Sequence, residues 1–176
     1  MTERVEGEGL ALRRAHADDV PFLRDLAAHE DVEPFMAAVS ARDDEALLEE
    51  VRRAEAEPEH YGRFVLEVDG VRAGALAFEV RNRRSRIAHV YGLMLLPDFR
   101  GRGLADEAAR TLVRHLVYDV GYHRLELECY GFNERALRHA ERAGWVREGV
   151  RRKAYRRHGE WVDGVLFGLV REDLEE

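Results

Sequence analysis

The sequence predicts an α/β (α+β) fold built on one mixed β-sheet, and three features carry that expectation. Segments of period-2 hydrophobicity alternate with segments of helical spacing along the chain. An Asp69-Gly70 turn joins two of the extended segments into a hairpin. No internal repeat, low-complexity tract or Pro/Gly/Ser-rich linker divides the chain. With 176 residues, 45% hydrophobic and 36% charged, it can bury one sizeable core without disulfide or structural metal. We expect a single domain over residues 9–174.

Taken in order, residues 10–14 read as a short strand. Asp18 and Asp19 ahead of Val20-Pro21-Phe22 give the start signal of a helix carrying Phe22, Leu23 and Leu26. A second, amphipathic helix starts near Asp43 or Asp44, lines one face with Leu47, Leu48 and Val51, and ends before Pro58. Phe64, Leu66 and Val68 alternate with polar residues up to Asp69-Gly70, and extended character resumes over residues 71–80. A third apolar run covers residues 87–96. From Gly103 the spacing turns helical, with Leu104, Ala108, Leu112 and Leu116 on one face until Gly121. Leu125, Leu127 and Cys129 alternate as a strand. Asn133 opens a short helix with Ala136, Leu137 and Ala140 that stops at Gly144, and residues 145–155 and 161–170 form a final strand pair.

Composition removes several function classes. Cys129 is the sole cysteine, which excludes an intrachain disulfide and a Cys-rich zinc site, and we expect no metal. A net charge of −7 argues against a surface that grips nucleic acid throughout, so an anionic ligand needs a local site. The longest uncharged apolar run, residues 90–97, falls far short of the roughly 20 residues that span a bilayer. Residues 1–9 are polar and acidic, unlike a secretory signal, and we expect a cytoplasmic protein with no membrane partner.

The chemistry concentrates in Leu93-Met94-Leu95-Leu96-Pro97-Asp98-Phe99-Arg100-Gly101-Arg102-Gly103-Leu104-Ala105: an apolar strand, a short connection, a Gly/Arg-rich loop, then a helix. A helix N-terminus presents unpaired N–H groups and the positive end of its dipole, and glycines let loop amides approach a phosphate closely. Arg100 and Arg102 are placed to add charge-assisted contacts. Taken alone, these four residues fit a glycine-rich turn with solvated arginines equally well. A P-loop is excluded because the only lysine is Lys153, and a dinucleotide fingerprint because Asp106 stands where its third glycine belongs.

In its context, Arg100-Gly101-Arg102-Gly103-Leu104-Ala105 resembles the Gln/Arg-x-x-Gly-x-Gly/Ala signature of the GNAT superfamily of acyl-CoA N-acyltransferases. The stretch from His123-Arg124-Leu125-Glu126-Leu127-Glu128-Cys129-Tyr130 through Asn133 to Gly144-Trp145 resembles that family's next strand, asparagine and helix end. The tail, with Glu148-Gly149, Tyr155, His158-Gly159 and Trp161-Val162-Asp163-Gly164, is similar to the ribosomal-protein and spermidine acetyltransferase branch. The resemblance implies a mixed, mostly antiparallel sheet of about six to seven strands with about four helices and a splayed central strand pair. It implies acetyl-CoA as co-substrate, its pyrophosphate held by amides of Arg100, Gly101, Arg102, Gly103, Leu104 and Ala105, and its pantetheine arm by Leu95 on one side and Asn133 on the other. Asn133 also suits a plain helix N-cap.

For the chemistry, acyl transfer to an amine needs a base, an oxyanion donor and a proton for the leaving thiolate. A backbone N–H near Leu95 is the oxyanion donor that the resemblance implies. The family tyrosine seven residues after the asparagine falls at Ala140, so that acid is absent, and Tyr130 or Tyr155 are the substitutes. His89 leads as base, with strict alternation setting it and Tyr91 on one face with Leu93 and Leu95. Glu128 is the second candidate, with Glu126 beside it. Each has a purely structural alternative: a half-buried histidine bonded to backbone, or carboxylates paired with arginine. The acceptor is a small-molecule amine or a protein N-terminal amine, and acidic Asp43-Asp44-Glu45 and Glu49-Glu50 favour a cationic one. A homodimer is among the assemblies the family forms. Two other readings stand beside this one: an RNA- or polyanion-binding module using the basic residues 151–158, and an acyl-CoA binder without turnover, motivated by Ala140.

Overall fold

The computed structural model describes residues 2–35 and 43–175. Its elements run β1 (Arg4–Gly7), β2 (Leu10–Arg14), α1 (Val20–Ala28), α2 (Asp44–Ala56), β3 (Tyr61–Val68), β4 (Val71–Asn82), β5 (Ile87–Leu95), α3 (Leu104–Arg114), β6 (Arg124–Tyr130), α4 (Glu134–Arg142), β7 (Val146–Arg157) and β8 (Glu160–Val170). The strands form one eight-stranded sheet in the order β1-β2-β3-β4-β5-β6-β8-β7, one strand more than the sequence led us to expect. The additional strand is β1, which pairs antiparallel with β2 from Arg4↔Arg13 to Gly7↔Leu10.

The local signals explain most boundaries. Asp43 caps α2 by accepting from the Ala46 amide at 2.8 Å, and Pro21 occupies the first turn of α1, where its missing N–H costs nothing. Asp69 and Gly70, both at positive φ (49° and 76°), turn β3 into β4. After α3 the helix loosens into a π-helical turn, His115–Val120, which ends at Gly121.

Each face of the sheet packs its own core. On one, Leu104, Ala108, Leu112 and Leu116 of the α3 region meet Leu12, Phe64, Leu66, Leu76, Phe78, Val90 and Leu125. On the other, Leu23 and Leu26 of α1 and Leu47 and Val51 of α2 meet Val65, Ala75 and Met94. Leu112 is fully buried, so Leu112→Ala should cost about 2–5 kcal/mol of stability, read as a lower midpoint in urea unfolding. Among the described residues no helix is long and apolar enough to cross a membrane.

All strand pairs are antiparallel except β5 with β6. That parallel pair joins only Ile87↔Arg124, Ala88↔Leu125 and His89↔Glu126. Beyond it β5 stays with β4 as far as Gly74↔Leu95, while β6 stays with β8 as far as Tyr130↔Gly164. The sheet therefore splits at its centre.

Candidate functional site

The split leaves the β6-facing edge of β5 without strand partners from Val90 onward, a row of backbone donors and acceptors that an extended amide-bearing ligand can pair with. At the end of β5, a short 3-10 turn (Pro97–Phe99) leads into Arg100-Gly101-Arg102-Gly103 and the first turn of α3. Gly101 and Gly103 sit at φ 73° and 74°, a region that disfavours any side chain, and a Cβ at either would meet no protein atom within 4 Å. The loop thus needs glycine for its backbone and opens onto free space.

The arginines of this loop differ in how far they are held: Arg100 is hydrogen-bonded to the protein, whereas Arg102 is exposed. Arg100 donates to the carbonyls of Leu95 at 3.2 Å and Asp31 at 3.3 Å, and the Arg102 guanidinium lies 5.5 Å from the centre of the Phe99 ring. Of the backbone donors there, the Arg100 amide is taken by the Pro97 carbonyl at 3.1 Å, while the first-turn amides of α3, those of Leu104 and Ala105 among them, have no intrahelical acceptor. The acids of the first turn of α3 are turned to other partners: Asp106 to Arg142 and His139, Glu107 to the Glu8 amide and Arg110. Across the split, Asn133 caps α4, its Oδ1 accepting from the Ala136 amide at 3.2 Å.

The structure corrects one expectation about faces. Strict alternation set His89 and Tyr91 beside Leu93 and Leu95, but a bulge intervenes: Ala75 pairs with Met94 while Ala77 pairs with Tyr91, and Gly92 between them has φ 69°. One extra residue reverses the parity of the strand. Met94 packs with the α1–α2 core and Leu93 and Leu95 with the α3 core, so His89 and Tyr91 face the α1–α2 side. On β6, Leu125, Leu127 and Cys129 join the α3 core, which sends Glu126, Glu128 and Tyr130 to the α1–α2 side as well. His89, Glu128 and Tyr130 therefore flank the split from one face of the sheet.

His89 is half-buried and stacks on Tyr91 with ring centres 5.8 Å apart. Burial and the nearby Arg81 charge push its imidazole down to about 4, against the pull of the Glu126 carboxylate and a hydrogen bond to the Glu126 backbone. It is thus neutral near pH 7. Glu128 accepts from the Tyr155 hydroxyl at 2.8 Å and lies 3.9 Å from Arg151. Burial and that hydrogen bond raise the Tyr155 phenol. Tyr130 is buried, stacked on Phe132 at 5.3 Å and edge-on to Tyr155 at 5.7 Å. Ala140 lies in the α3-side core, where it supplies no acid. Cys129 is held as a thiol by burial and by Glu128, which push it up to about 11.

Several features went unforeseen. Arg63 and Arg157 are buried, although nothing in their strand patterns marks them. Arg157 donates to the Glu33 carbonyl at 3.0 Å and carboxylate at 3.2 Å, tying β7 to the segment after α1. Within residues 151–158, half-buried Tyr155 is bonded to Glu128 and buried Arg157 to Glu33, while Arg151, Arg152, Lys153 and Arg156 stay exposed. Two of the acids of α2 are paired as well: Asp44 with Arg24 at 2.9 Å and Glu50 with Arg63 at 3.4 Å. Among the described residues no three His, Cys, Asp or Glu side chains gather as a metal set.

Comparison with known proteins agrees with this geometry. A family model described as an acetyltransferase (GNAT) domain matches residues 10–146. The SPbeta prophage-derived uncharacterized N-acetyltransferase YokL of Bacillus subtilis (strain 168) is 32% identical over 85 residues, 48% of each chain. The matches to curated relatives span between 48% and 65% of those proteins' length. Among solved structures, the ribosomal L7/L12 alpha-N-protein acetyltransferase RimL, in complex with coenzyme A, has a TM-score of 0.82 at 19% identity, covering 96% of this chain and 98% of that one. A chimera of the Vibrio cholerae spermidine N-acetyltransferase SpeG has a TM-score of 0.84 at 18% identity, covering 96% and 100%. At these identities the two structures establish a shared fold.

Proposed function

We propose that this chain, which belongs to the acetyltransferase (GNAT) domain family, moves an acetyl or other acyl group from acetyl-CoA to a primary amine by direct attack within a ternary complex. The observation that carries this reading is the split between β5 and β6, with a glycine loop and a helix N-terminus at its mouth. In this reading residues 9–174 act as one catalytic domain. The amides of Arg100, Gly101, Arg102, Gly103, Leu104 and Ala105 hold the pyrophosphate, and the free edge of β5 up to Leu95 lies along the pantetheine arm, with Asn133 opposite.

His89, neutral at physiological pH, accepts the proton of the attacking ammonium through water, with Glu128 as the alternative base. The amine nitrogen then bonds to the thioester carbon, a backbone N–H near Leu95 holds the oxyanion, and the C–S bond breaks to release a thiolate. As the amide forms the nitrogen gives up a second proton, which balances the one the thiolate takes up; Tyr130 is the candidate to relay it, though a coenzyme A thiol is acidic enough to leave before it is protonated. The acceptor is a small-molecule amine or a protein N-terminal amine, and a homodimer is the assembly to check by sedimentation.

The test pairs calorimetric titration of acetyl-CoA, free coenzyme A and ATP with thiol release across an amine panel. Binding of acetyl-CoA in preference to ATP, with amine-dependent release of one thiol per acyl group, is the expected result. Absence of binding to any acyl-CoA overturns the reading, and binding without transfer to any amine makes the chain a non-catalytic acyl-CoA binder.

A further inference from the structure

We propose that Arg63 marks a carboxylate subsite in the acceptor cleft, so that the acceptor is an amino acid carrying its own carboxylate beside the reacting amine. This deepens the acetyl-transfer reading and rests on it. Arg63 lies on β3 and is only 5% exposed. It pairs with Ala77 of β4, which pairs with Tyr91 of β5, so the three form one row across the sheet on the α1–α2 face. Ala77 is small, and the long Arg63 side chain crosses above it. Its Nη1 lies 3.7 Å from where a Cβ on Gly92 would stand. The guanidinium therefore ends at the bulge of β5, three residues past His89, the last residue that β5 pairs with β6.

A buried guanidinium is costly unless it is both paired and hydrogen-bonded. Glu50 of α2 approaches Arg63 Nη1 at 3.4 Å, yet Glu50 Oε2 and Arg63 Nε are both buried without a hydrogen-bond partner among the described residues. The two line a cavity of about 50 Å³ beneath α2, together with Arg53, Tyr61, Glu79 and Tyr91. Within it Arg53 lies 4.0 Å over the Tyr61 ring, and Glu79 is drawn off to Arg81 at 3.3 Å. The lining charges balance, Arg53 and Arg63 against Glu50 and Glu79, but with Glu79 turned to Arg81 the buried Nε of Arg63 is a donor left over for an anion. The volume suits a group the size of a carboxylate, whose two oxygens match the planar fork of arginine. The stacked rings of Tyr91 and His89 lead from this cavity to the split, where the amine would meet the thioester.

The experiment compares L-amino acids with their decarboxylated amines and their amides as acceptors in the full chain, with acetyl-CoA saturating. Wild type should favour the amino acids by about 10²-fold in kcat/KM, the range that a charged hydrogen-bonded pair supports. Arg63→Gln should raise KM for amino acids by a similar factor while leaving KM for acetyl-CoA and the rates with plain amines unchanged, and Arg63→Lys should restore part of the preference. Equal rates for amines and amino acids in wild type overturn the proposal without any variant, as does an equal loss on both classes in Arg63→Gln. Calorimetric titration of amino acids in the presence of coenzyme A separates the two readings. Binding that Arg63→Gln loses supports the subsite even if no acceptor is acetylated, in which case the transfer reading alone falls, whereas no binding removes the subsite.

Discussion

Gly103→Glu abolishes measurable acetyl-CoA binding, a loss of at least about 10²-fold, if the loop before α3 is the pyrophosphate cradle. Two effects combine. At φ 74° a side chain adds roughly 1–2 kcal/mol of backbone strain. The new carboxylate also extends into the space in front of the helix N-terminus, where a second anion is repelled. Because no protein atom lies within 4 Å of a Cβ there, the fold loses little beyond the strain. Gly103→Ala carries the strain without the charge and should weaken binding far less. Calorimetry on both variants, with thermal unfolding as the control, decides the matter: a Gly103→Glu protein that binds acetyl-CoA within threefold of wild type removes the loop from the site.

His89→Gln should lower kcat/KM by about 10²-fold or more, the contribution of a positioned general base. The sign of the pH dependence follows from the buried imidazole. Its neutral form is the base, and burial pushes its protonation down to about 4, so wild-type activity per bound ammonium should stay flat between pH 5 and 8 and fall only as pH drops toward 4. An ordinary histidine would instead break the profile near its usual value of about 6.5. The variant should lose activity across the flat region. If His89→Gln keeps near-wild-type activity while Glu128→Gln loses it, the carboxylate bonded to Tyr155 is the base. Unchanged profiles in both variants remove both assignments.

What could be read beforehand was local. Asp43 and Asn133 act as caps, Asp69-Gly70 turns a hairpin and Gly121 stops a helix, because each answers to a few neighbouring residues. The Arg/Gly loop was legible for the same reason. β1 was not, since Arg4-Val5-Glu6-Gly7 shows no apolar run and exists as a strand through its ladder with β2. The burial of Arg63 and Arg157 was invisible because burial depends on what other elements cover, α2 for one and the segment after α1 for the other. Arg100 was expected to add a charge-assisted contact to an anion; the bond from its Nη2 to the Leu95 carbonyl was not foreseen, since it is fixed by how the loop folds back on its own strand. The face of His89 was misjudged because alternation counts residues, and a glycine inside an apolar run does not announce a bulge.

That bulge has a further consequence. Before Gly92, His89 and Tyr91 of β5 face the α1–α2 side and Ala88 and Val90 the α3 core; after it Met94 faces α1–α2 and Leu93 and Leu95 face α3, so Gly92 is where odd and even positions exchange faces. Substitutions at the odd positions before it and at Met94 after it can retune what is accepted on the α1–α2 side, while Ala88, Val90, Leu93 and Leu95 go on meeting the same demands from α3. The strand thus carries two interleaved sets of residues under separate demands, and a lineage can exchange one partner of the reaction without renegotiating the other.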